Sequence, residues 1–87
     1  MIRLVWDFFG PDAQGTAVHH AIHLRELMAR DQIEGVIFGQ ESEVEGHYAS
    51  WCEVEEPHLA AQISRALKPQ RQGDAAAFRA RAQARDN

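Results

Sequence analysis

Ile2-Arg3-Leu4-Val5-Trp6-Asp7-Phe8-Phe9 is the stretch on which the reading of the whole chain turns. It is dense in β-branched and aromatic residues, and Gly10-Pro11-Asp12 brings it to a stop, so it reads as a strand. Side chains alternate across a strand. Ile2, Leu4, Trp6 and Phe8 therefore share one face, which is wholly apolar and belongs under helices. Arg3, Val5, Asp7 and Phe9 share the other, which is mixed.

Working outward, residues from about Ala13 to Asp31 carry a helical pattern, with Asp12 or Thr16 as its cap. Ala17, Ala21, Leu24 and Met28 fall on one stripe of that helix. Gly35-Val36-Ile37-Phe38-Gly39 suits a second strand. After a connection through Glu43-Val44-Glu45-Gly46, His47 to Glu55 alternates as a third. Pro57 opens a second helix behind Glu55-Glu56, Leu59, Ile63 and Leu67 form its stripe, and Lys68-Pro69 closes it.

Strand, helix, strand, strand, helix predicts an α+β fold, the ferredoxin-like (split βαβ) arrangement of order βαββα lacking its fourth strand. Two helices then lie on one face of a three-stranded sheet, with strand three inserted between one and two by a right-handed crossover. This domain covers residues 1–69. Residues 70–87 form an Ala/Arg-rich tail with Phe78 as its one large apolar residue, and the expectation is disorder or a marginal helix.

In strand three, the small residues Ser50 and Cys52 suit close helix packing, so Tyr48, Ser50, Cys52 and Val54 are placed inward. His47, Ala49, Trp51 and Glu53 then face out. The open face would carry Arg3, Val5, Phe9, Trp51 and Glu53, which is too apolar for a solvated surface. Strand one would also be a free edge, which invites pairing. Both features predict a homodimer, formed through that face or along that edge.

Composition narrows the classes further. A chain of 87 residues is one domain with a small core. Cys52 is its lone cysteine, so there is no internal disulfide, and a reducing, cytoplasmic setting is expected. No apolar run approaches the roughly 20 residues of a membrane span. Residues 1–67 hold four basic side chains against eleven acidic ones, whereas 68–87 hold five against two. An acidic body repels phosphate backbones and argues against nucleic acid as a partner.

Gly10 to Thr16 lacks a phosphate-loop pattern and has no lysine, so no cofactor is called for. Acidic neighbours raise the Cys52 thiol pKa and argue against a nucleophile. Two constellations could carry chemistry. Asp7 and His47, on the inferred open face, could act as a catalytic acid–base pair. His19, His23 and Glu26 share a helix face with the two-His spacing of zinc-binding helices, without the usual adjacent acid. The leading expectation is a non-catalytic homodimeric binding or interaction module. The alternatives are a cofactor-free enzyme of dimeric α+β-barrel type acting on a small organic substrate, and a metal-binding protein.

Overall fold

β1 (Ile2–Phe9) is an interior strand, hydrogen-bonded along both sides. In the computed structural model, which describes residues 1–86, the chain continues through α1 (Ala13–Arg30), β2 (Ile37–Glu41), β3 (His47–Val54), α2 (Pro57–Leu67), β4 (Arg71–Asp74) and α3 (Ala75–Asp86). The four strands form one antiparallel sheet in the order β2-β3-β1-β4. Among the described residues no helix is long and apolar enough to cross a membrane.

The parity of β1 and β3 sorts the two faces. Leu4, Trp6, Cys52 and Val54 are buried with Leu24 and Met28 of α1 and Ala60 and Ile63 of α2, forming the main core. α2 is locally well specified. The Glu56 carboxylate accepts the N–H groups of His58 and Leu59 at 2.8 Å each, and Pro57 takes the first turn, where no N–H partner is needed. At the other end of α2, the Trp6 indole N–H donates to the Leu67 carbonyl at 2.8 Å. That bond satisfies an end-of-helix acceptor and fixes the indole in the core.

Three expectations are corrected. The sheet has four strands, since Arg71-Gln72-Gly73-Asp74 pairs antiparallel with β1, Ile2 opposite Asp74 and Val5 opposite Arg71. This strand is short and polar, as edge strands are, so it carries no hydrophobic signal and is built by backbone pairing. β1 is consequently no free edge, and a dimer along it has no unpaired backbone to use. The second sheet face is not open either, because α3 lies on it, with Phe78 buried against Val5, Ala49 and Trp51. The segment set apart at residue 70 thus supplies the cover that had been assigned to a second copy.

β2 begins two residues later than its apolar run suggests. Gly35 takes a positive φ of 77° in the turn that ends the α1 connection. Gly39 has a separate role. It sits opposite Trp51 in the β2–β3 register, and a β-carbon there would fall on the Trp51 indole. The missing side chain is what lets that ring lie across the sheet.

Candidate functional site

Two polar clusters share the sheet face on which α3 lies. In the β1–β3 register Asp7 is opposite Ala49 and Phe9 is opposite His47, so Asp7 and His47 are diagonal neighbours. The His47 Nε2 to Asp7 Oδ1 distance is 2.7 Å. On the other side of β1, Arg71 of β4 donates from Nε to Asp7 Oδ2 at 2.8 Å and from an Nη to Oδ1 at 2.7 Å. Its second Nη donates to Glu43 at 2.8 Å. A forked guanidinium on a carboxylate is a strong and geometrically fixed pair.

The backbone N–H of Glu43 donates to His47 Nδ1 at 3.1 Å, so Nδ1 must present its lone pair. That selects the tautomer with the proton on Nε2, where it donates to Asp7. Both ring nitrogens are therefore engaged, and His47 is only 4% exposed. The structure brings the two sequence-selected residues together, in a geometry that leaves the imidazole no free lone pair for taking a proton from a substrate.

Burial pushes the Asp7 pKa up, but hydrogen bonds from Arg71 and His47 and the Arg71 charge outweigh it, so the carboxyl sits below its ordinary 3.8. A depressed folded pKa stabilises the protein above the unfolded value, and the contribution disappears as pH falls through 3.8 and then through the lower folded value. Asp7→Asn is accordingly expected to be less stable than the parent at neutral pH. The gap should narrow steadily below pH 3.8 in urea unfolding series. A gap that stays constant down to the acid transition would mean that Asp7 is not held ionised by these partners.

The second cluster centres on Glu53, directly opposite Arg3. Arg3 donates to Glu53 Oε2 from Nε at 2.8 Å and from Nη2 at 2.6 Å, while Arg79 of α3 donates to Oε1 at 2.5 Å. The Arg3 guanidinium lies 3.9 Å from the Trp51 ring centre and 5.5 Å from that of Phe78, so its faces meet aromatic surface while its edge meets carboxylate. Val5 is buried in the same layer, whereas Phe9, at the end of β1, is 74% exposed beside the His47 ring.

On α1, His19 and His23 are exposed neighbours, with ring centres 4.2 Å apart, and Glu26 lies one turn further along. Among the described residues no three His, Cys, Asp or Glu side chains are placed to hold a metal ion. His20 faces inward. Its Nδ1 is 2.6 Å from the Ser50 hydroxyl, and its ring is 4.9 Å from Trp6 and 5.6 Å from Phe8. Burial, with the neighbouring His23 charge, pushes its pKa below the ordinary 6.5. Ser50 is wholly enclosed, so this serine–histidine pair has no reachable nucleophile. Burial and the Glu53 charge push the enclosed Cys52 thiol up to about 12.

His20 lines a groove of about 690 Å³ running from α1 to the end of α2. Leu24, Leu27 and Leu67 provide its apolar surface, and His23, Glu26 and Arg30 its polar rim. Helical spacing alone sets His20 near Leu24 and Leu27, but it gives no sign of a groove, since Leu67 comes from another helix. Arg71, Glu43 and Arg79 were missed altogether. The one available signal for Arg71 was Asp7 itself, an acid inside an apolar strand that needs a cationic neighbour. Comparison with known proteins gave no matching family model, no matching curated protein and no matching solved structure.

Proposed function

We propose that this chain is a non-catalytic, ferredoxin-like binding module of the cytoplasm whose ligand site is the groove between α1 and the end of α2. The order βαββαβ of the first six elements, to which α3 is appended, and the sheet order β2-β3-β1-β4 support the fold assignment. The lone cysteine, buried and in no disulfide, supports the compartment. The observation that carries the binding reading is the contrast between the two sides of the sheet. On the α3 side, the Asp7 carboxylate and both His47 nitrogens are spent on one another and on Arg71 and Glu43. On the helix side, a groove of ligand-accommodating size is lined by three leucines and by a half-buried imidazole that, among the described residues, has spent only Nδ1.

Methyl-detected NMR on the full chain, screened against small apolar molecules, tests this reading. Hits are expected to move the Leu24, Leu27 and Leu67 methyls together with the His20 ring signals. Hits confined to Trp51 and the α3 side, or no response at the three leucines, would overturn it.

A further inference from the structure

We propose that β2 is a pairing edge for a second copy of this chain, the two sheets joining antiparallel about a twofold axis at Gly39. The backbone carries the first argument. The Gly10 N–H donates to the Gly46 carbonyl at 2.9 Å, one step beyond the opposed pair Phe9 and His47, so even-numbered residues of β3 bond to β1. Odd-numbered residues turn the other way, and the His47 N–H accordingly donates to the Val44 carbonyl at 3.1 Å. Ala49, Trp51 and Glu53 therefore bond to Glu41, Gly39 and Ile37 opposite them. That leaves the N–H and C=O groups of Phe38 and Gln40 pointing outward, along an edge that no other strand borders among the described residues.

Exposed apolar side chains collect on both sides of this edge. Ile37 is exposed on the α3 side of the sheet. On the other side the Arg25 guanidinium lies 5.4 Å from the Phe38 ring centre, which sets that flank of α1 above β2. Val18 and Ile22, both exposed, share the flank with Arg25 at helical spacing. The opposite flank, with His20 and Leu27, turns to the end of α2. Edge strands that stay unpaired are usually protected by charge, as β4 is by Arg71 and Asp74. β2 has only Glu41, which is held 3.8 Å from Arg3.

The occupant is a second copy because β2 is complementary to itself. With Gly39 on the axis, Phe38 lies opposite Gln40 of the partner subunit, and their outward backbone groups bond to each other. Ile37 meets the partner's Glu41, so no like charges are opposed within the paired strands. Gly39 has no side chain, and the Trp51 indole lies across it. Residues opposed at such a non-hydrogen-bonded position are about 4.5 Å apart. The two indoles are thus brought edge to edge over the paired glycines. On the helix side, the Val18 and Ile22 flank of α1 faces its own counterpart.

The shared patch is small, so the association is weak and reversible. Sedimentation equilibrium of the full chain is expected to show dimers at hundreds of micromolar. Hydrogen exchange at that concentration should find the Phe38 and Gln40 amides protected, with protection lost on dilution while Gly39 keeps its own. A mixture of isotope-labelled and unlabelled chains should give a nuclear Overhauser effect between Gly39 α-protons of the two subunits. Ile22→Lys and Ile37→Lys replace exposed residues, so the monomer folds as before, and each change counts twice across the axis. Either should weaken the dimer at least about tenfold. Chains that remain monomeric at hundreds of micromolar would overturn the proposal. So would dimers whose Phe38 and Gln40 amides exchange freely, or dimers that tolerate both lysines. Protection of those amides only after an unrelated extended peptide is added would overturn self-pairing and assign the edge to another protein.

Discussion

Glu53→Ala should lower the free energy of unfolding by about 3–5 kcal/mol, the cost of stranding a buried charge. Glu53 has no exposed surface, and the Arg3 side chain that it neutralises is 7% exposed. Removing the carboxylate leaves the guanidinium between Trp51 and Phe78, with the rings satisfying its faces but nothing on the two N–H groups that pointed at Glu53. Glu41, whose carboxylate is 3.8 Å from Arg3, is too distant to replace two direct hydrogen bonds. The loss should be asymmetric. Arg79 bonds the same carboxylate from a side chain that is 55% exposed, so Arg79→Ala should cost under about 1 kcal/mol.

The decisive comparison is the double replacement Arg3→Met with Glu53→Leu. Exchanging a buried pair for apolar groups is often near neutral, so the double variant should recover most of the stability lost in Glu53→Ala. Urea unfolding of the parent and the three variants gives all the differences needed. A loss below about 1 kcal/mol for Glu53→Ala would mean that Arg3 reaches solvent readily and that the layer beneath α3 is loosely closed.

The residues of that layer show which parts of the fold can be read from a sequence. Ile2 to Phe9 announce a strand because hydrophobicity and alternation are local properties, and the helix-facing set Leu4 and Trp6 follows from parity alone. The third strand yields to the same reasoning, down to the inward Cys52 and outward Trp51. Arg71 to Asp74 announce nothing, because an edge strand beside an already apolar neighbour can be polar throughout. What fixes it is the ladder to β1 and the Asp7–Arg71 pair, both non-local. The candidate site divides the same way. Asp7 and His47 share a face by parity, but their contact depends on register, and the partners that use up the imidazole come from the β2–β3 connection and from β4. The groove needs Leu67 beside α1, which only the packing of α1 against α2 can supply.

Phe78→Ala should release α3 from the sheet and reinstate the exposed apolar face that the first 69 residues would have on their own. α3 follows β4 without a loop, and its first residue is tied down by the Ala75 N–H donating to the Met1 carbonyl at 2.9 Å. Beyond that point a single large side chain anchors it. Phe78 is 7% exposed, packs on Val5, Ala49 and Trp51, and receives the Arg81 guanidinium 4.6 Å from its ring centre. Phe-to-Ala changes in cores cost about 3–5 kcal/mol. A twelve-residue helix has too little intrinsic stability to stay formed once that contact is gone. The loss should therefore be local: backbone amides of α3 lose hydrogen-exchange protection, while those of β1 and β3 keep theirs. Val5, Ala49 and Trp51 would then face water together, and an uncovered apolar patch of this kind drives association. Sedimentation of Phe78→Ala at tens of micromolar should show concentration-dependent self-association that the parent chain lacks through this face. The more polar Phe78→Gln should behave the same way. Protection in α3 that survives either change would show that the ion pair from Arg79 and the Ala75 bond hold the helix without its aromatic anchor.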